Sequence, residues 1–135
     1  MRLSKMKMIT GCCVLLLAGL LVSPAISYSD EIEIDVAPNV LNIQSSGTVV
    51  TVHTDIAYWV VDVSSVFLNG ELIQSWKADN QGNFVAKFSM DTIKALDGLV
   101  IGDYNTLTLI GADKDEQPFI GSQEILVIDV LPKGR

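Results

Sequence analysis

The chain predicts an all-β fold, an antiparallel β-sandwich of about seven strands with one short helical turn. Three observations carry this expectation. Apolar and polar residues alternate in short segments in which Val, Ile and Thr are prominent. Gly, Asn, Pro and Asp break those segments roughly every 8 to 12 residues. Only the stretch from Asp91 to Leu96 departs from the period of two.

The first strand is expected at Glu31-Ile32-Glu33-Ile34-Asp35-Val36, with Ile32, Ile34 and Val36 on one face and the acids on the other. Pro38-Asn39 breaks it, and Val40, Leu41 and Ile43 make a short continuation. Thr48 to Thr54 is rich in β-branched residues, which suit a pleated sheet; Val50 and Val52 face inward, Thr51 and His53 outward. Trp59 to Val63 and Val66 to Leu68 are two apolar bursts joined by Ser64-Ser65. Asn69-Gly70 then separates Leu68 from Glu71, and both residues tolerate the positive φ of a type I′ hairpin turn. A second turn, Ala78 to Asn83, leads into a cleanly alternating strand. Phe84, Ala86, Phe88 and Met90 point inward there, Val85 and Lys87 outward.

Asp91 is placed to cap one helical turn that sets Ile93 and Leu96 on the same side. Asp97-Gly98 closes it. Leu107 and Leu109 alternate with Thr106 and Thr108 in the next strand, which begins near Tyr104. The acidic turn Asp113-Lys114-Asp115-Glu116 leads through Pro118-Phe119 to a final strand from Glu124 to Val130. No linker, low-complexity stretch or internal repeat interrupts these elements, so one domain is expected over residues 28–135.

Residues 1–27 are expected to be a cleaved secretory signal peptide. Arg2, Lys5 and Lys7 precede an apolar run from Ile9 to Val22, and Ala25-Ile26-Ser27 offers small residues for cleavage after Ser27. Ser27-Tyr28-Ser29 offers a second register. The apolar run falls short of the roughly 20 residues that span a bilayer, so no stable membrane anchor is expected. Ile9-Thr10-Gly11-Cys12 is similar to a bacterial lipobox. There, however, the apolar run precedes the cysteine, whereas here Val14 to Val22 follows it. Simple cleavage removes both Cys12 and Cys13 and leaves neither a disulfide nor a thiol nucleophile. The destination is periplasmic or extracellular.

Cleavage also leaves six basic residues against 16 acidic ones, a net charge of −10. Nucleic-acid binding requires a basic face, and so does docking on an anionic membrane; neither is expected. So acidic a surface favours solubility.

The blocks "APNVLNIQSSGTVVTVHT", "VDVSSVFLNGE", "FVAKFSMDTIKAL" and "LTLIGADKDEQPFIGSQEILVI" together span Ala37 to Ile128. In this order they resemble an immunoglobulin-like module that recurs in secreted and cell-surface proteins of bacteria and archaea. The resemblance implies an immunoglobulin-like sandwich outside the cytoplasm. It brings no catalytic residues, because the matching positions are turn and core residues. The chain departs from that family in carrying the module alone. Tyr104 also lies three residues before the inward Leu107, the wrong parity for a tyrosine corner.

Candidate chemistry is sparse. His53, the only histidine, forms His-x-Asp with Asp55, and Ser64 or Ser65 is a conceivable nucleophile, but no Gly-x-Ser-x-Gly elbow accompanies them. A solvent-facing strand histidine is expected instead, and with it no enzyme and no cofactor. Asp113, Asp115 and Glu116 are candidate oxygen ligands for a divalent cation. Their turn lacks the spaced ligands and mid-loop glycine of an EF-hand loop, so a solvated hairpin tip is expected. Trp59 and Trp76 are candidate stacking platforms for a carbohydrate, provided both are exposed on one sheet face. Core packing is expected for Trp59, beside Tyr58 and Val60 at a strand start. Ile125 and Val127 are expected on the outer face of the last strand, opposite Leu126, Ile128 and Val130. An apolar outer face marks a contact with a protein partner or a second copy. The expected function is therefore a non-enzymatic exported module acting in binding or assembly; the alternative is a carbohydrate-binding accessory module.

Overall fold

In the computed structural model, which describes residues 30–131, the alternating N-terminal segment is divided between two sheets. Strand β1 (Asp30–Glu31) runs parallel to the last strand, and Ile32 N–H donates to Ile120 O at 2.8 Å. Strand β2 (Ile34–Ala37) joins the other sheet, against Thr51 to Thr54. After the cis Ala37–Pro38 bond, β3 (Val40–Asn42) returns to the last strand, again in parallel. The leader, with its lipobox-like cysteine, lies outside the described residues, as does the end of the chain from residue 132.

The remaining elements follow the turn chemistry. Strand β4 (Val49–Ala57) carries the β-branched run, and a 3₁₀ turn (Tyr58–Val60) connects it to β5 (Val61–Leu68). Asn69 and Gly70 both have positive φ, 47° and 83°, and pair β5 with β6 (Glu71–Leu72) in a two-residue hairpin. Strand β7 (Ser75–Ala78) turns into β8 (Asn83–Ser89) around Asp79, whose carboxylate accepts the N–H groups of Gln81 and Asn83. The helical turn α1 (Met90–Lys94) starts one residue before Asp91. Ser89, not Asp91, is its N-cap, and Ser89 makes no side-chain capping bond. Asp91 instead stands in the first turn, where a carboxylate suits the positive end of the helix dipole. Strands β9 (Asp103–Asp113) and β10 (Pro118–Ile128) form the long closing hairpin.

Six strands make one sheet in the order β1–β10–β9–β5–β6, with β3 also on β10; four make the other, β2–β4–β8–β7. The sheets share one core, with Val50, Val52, Phe84 and Phe88 from one and Val66, Leu68, Leu107 and Leu109 from the other. Ile93, from α1, joins this core. Ser64-Ser65 forms a bulge between the two halves of β5, where the register against β9 shifts. The Ser65 hydroxyl accepts the Ala112 N–H at 2.8 Å, replacing a backbone partner lost in the bulge.

The last strand corrects one expectation. Ile125 is 1 % exposed and Val127 0 %, so both lie in the core and neither offers a contact surface. The physical reason is register. Strand β10 starts at Pro118, six residues earlier than expected, and its odd positions face inward throughout. Leu109 pairs with Gly121 and Leu107 with Gln123, which carries the inward phase on to Ile125 and Val127. Leu126 and Ile128 take the outer face, and Val130 lies exposed beyond the strand.

Candidate binding surfaces

Strand β10 does present apolar residues outward, at its even positions. Val40, Leu126 and Tyr104 stand directly opposite one another across β3, β10 and β9, on the outer face of the six-stranded sheet. Tyr104 is 61 % exposed, far from the buried hydroxyl of a tyrosine corner. The loop before β9 adds exposed Val100 and Ile101. It is pinned to the strand end by Gly102 N–H donating to Val127 O at 2.7 Å, and by two hydrogen bonds between Asn105 and the backbone of Val100. Asn42 fixes Val130 beside β3 in the same way, its amide donating to Val130 O at 2.8 Å. Six of the nine exposed large apolar residues among those described gather around this end of β10 or just past it.

The tryptophans do not form one platform. Trp76 lies on the edge strand β7, opposite Ala86, and is 46 % exposed. Trp59 is 71 % exposed on the 3₁₀ turn, not packed in the core. Its neighbours explain the difference. Tyr58 stacks on Phe84 at 6.3 Å and donates its N–H to Gly82 O, while Val60 O accepts the Lys114 N–H. With the residues before and after it tied inward, the tight turn projects Trp59 out. An open cleft of about 170 Å³ is lined by Trp59, Val60, Asp113, Lys114 and Asp115. A second, of about 330 Å³, is lined by Tyr58, Trp59, Val61, Asp62, Val63 and Lys114. Trp76 lines neither.

The acidic turn is a structured tip. Asp113 accepts the N–H groups of Asp115 and Gln117 on one carboxylate oxygen, each at 2.9 Å, and Glu116 adopts a positive φ of 66°. Asp113, Asp115 and Glu116 do not converge as ligands. Among the described residues no three His, Cys, Asp or Glu side chains form a group able to hold a metal ion.

His53 lies on the outer face of the four-stranded sheet, between Asp35 and Val85. Asp55 accepts the Glu33 N–H, and Ser64 and Ser65 bond to Asp62 within β5 of the other sheet. The histidine and the serines are therefore on different sheets, and no nucleophile–base pair is assembled from them. A further cleft, of about 380 Å³, follows the crossing from β1 to β2 and is lined by Glu31, Ile32, Glu33, Ile34 and Ser122. It contains no histidine. No helix among the described residues is long and apolar enough to cross a membrane.

No family model, curated protein or solved structure matches the chain.

Proposed function

We propose that this protein is an exported, non-enzymatic immunoglobulin-like module that acts by binding or assembly at the cell envelope or outside the cell. The observation that carries the binding role is the apolar patch of Val40, Val100, Ile101, Tyr104, Leu126 and Val130. Exposed apolar side chains gathered on one rigid surface mark a protein contact far more often than singly scattered ones. Only Leu126 of the patch lies on β10; Val40 comes from β3, Tyr104 from β9, and Val100, Ile101 and Val130 from the segments that flank them.

The strand order supports the immunoglobulin-like reading. Taking β2, β4, β5, β7, β8, β9 and β10 as strands A to G, the sheets are A-B-E-D and C-F-G, the arrangement of that class. The basic, apolar and small-residue layout of residues 1–27 supports export.

A photoreactive residue at Ile101 tests the binding role in the cells that make the protein. The reading expects one discrete cross-linked product, either twice the mass of the chain or a single other protein, abolished by Tyr104→Ser. Absence of any product, or a product indifferent to Tyr104→Ser, overturns it.

A further inference from the structure

The structure assigns a second binding site at the other end of the molecule. We propose that Trp59, with the two clefts beside it, is a stacking platform for a neutral saccharide. The site and the apolar patch lie at opposite ends of the 11-residue strand β9, roughly 30 Å apart. It goes beyond the proposed assembly role and does not depend on it.

Three features carry the assignment. First, Trp59 is the most exposed aromatic residue among those described, yet its backbone is fixed on both sides. The Tyr58–Phe84 stack, the Tyr58 N–H to Gly82 O bond and the Lys114 N–H to Val60 O bond, both 2.8 Å, leave little to order on binding. An exposed aromatic face on a fixed backbone is what the apolar face of a sugar ring requires. Second, two open clefts adjoin Trp59 and share Lys114 between them, room for more than one sugar unit beside the ring.

Third, the polar groups in the clefts are of both signs. Asp113 and Asp115 line one and Asp62 the other, while Lys114 lines both. A sugar hydroxyl both donates and accepts, so carboxylates and an ammonium serve it together. A cationic ligand seated in either cleft meets Lys114. An anionic polysaccharide meets the aspartates and a chain with 16 acidic residues. A neutral, hydroxyl-rich ligand is the class these charges leave.

The test is titration of the full-length expressed protein, in the processed form in which cells yield it. The probes are cellohexaose, xylohexaose, mannohexaose and chitohexaose, followed by calorimetry and tryptophan fluorescence. Polygalacturonate and chitosan serve as the anionic and cationic arms. Saturable binding of at least one neutral hexaose is expected. It should weaken at least about tenfold in Trp59→Ala, as for an aromatic contact at the centre of a site. Lys114→Ala should weaken it several-fold, and Trp76→Ala should leave it unchanged. An unaltered denaturation midpoint in Trp59→Ala, expected from the exposure of the ring, separates lost binding from lost folding. No binding by any neutral hexaose overturns the proposal. So does undiminished binding by Trp59→Ala, or tighter binding of chitosan or polygalacturonate than of every neutral probe.

Discussion

The side-chain carbonyl of Gln123 accepts the backbone N–H of Val36 at 2.5 Å, joining β10 of one sheet to β2 of the other. Gln123 occupies an inward position, in phase with Phe119, Gly121, Ile125 and Val127. It is thus the polar member of an otherwise apolar or small row, held there by a donor on the edge strand β2. Gln123→Ala leaves that N–H unpaired in a partly buried site and should cost about 1–3 kcal/mol. Urea denaturation measures it. A cost no larger than that of an exposed polar deletion such as Gln44→Ala contradicts the role.

Core position governs a second contrast. Phe88 is fully buried between the sheets, and its replacement by Ala should destabilise by about 3–5 kcal/mol through the cavity it leaves. Lys87, the next residue back, points to the outer face, and Lys87→Ala should cost less than about 0.5 kcal/mol. Equal shifts in denaturation midpoint would place β8 in the wrong register.

Two glycines differ in what lies above them. A Cβ on Gly121 would meet Ile34 Cγ2 at 2.7 Å and the backbone oxygen of Ile32 at 2.9 Å, where the chain crosses between sheets. Backbone cannot swing aside, so Gly121→Ala should cost about 1–3 kcal/mol. A Cβ on Gly47 meets only the end of the flexible Met90 side chain, at 2.9 Å. Gly47→Ala should therefore be the milder change in the same thermal melts, and the reverse order contradicts the crossing.

Acid should weaken the β7–β8 turn. The Asp79 carboxyl is held below its ordinary range, first by the Asn83 N–H, then by the Gln81 N–H, the nearby His53 and the Gly82 N–H, against an opposing effect of burial. Folding therefore favours the ionised form. That stabilisation is present above the ordinary carboxylate pKa and is lost as pH falls through it towards the lowered one. Wild type should be more stable than Asp79→Asn at neutral pH, with the gap in denaturation midpoint closing on acidification. A gap independent of pH contradicts the linkage.

Local rules made much of this fold legible. Asn69-Gly70 specified its hairpin, and the inward faces of β4, β8 and β9 followed from alternation, because their core residues recur at every second position. Val85 shows the limit. It does face outward, between His53 and Lys77, yet is fully buried, since its cross-strand neighbours cover it. The phase of β10 was hidden by Gly121 and Gln123, an inward glycine and an inward amide that read as turn and surface. With them set aside, Ile125 to Val130 is apolar on both faces, and parity has no signal. Trp59 was hidden differently. Its apolar neighbours suggest a core strand, and only the 3₁₀ turn, fixed by long-range bonds to Gly82 and Lys114, turns the ring outward.

The assignment of inward and outward residues at the end of β10 is best tested by two double variants measured side by side. Ile125→Thr with Val127→Thr keeps β-branched shape but puts two hydroxyls into the core. It should lose about 2–5 kcal/mol of stability in denaturant titration. Ile101→Ser with Tyr104→Ser alters only exposed side chains of the patch. It should change stability by less than about 1 kcal/mol while abolishing the self-association or partner capture of the wild type. The opposite result, a stable threonine variant that loses its partner beside a serine variant that keeps it, would return the contact surface to Ile125 and Val127.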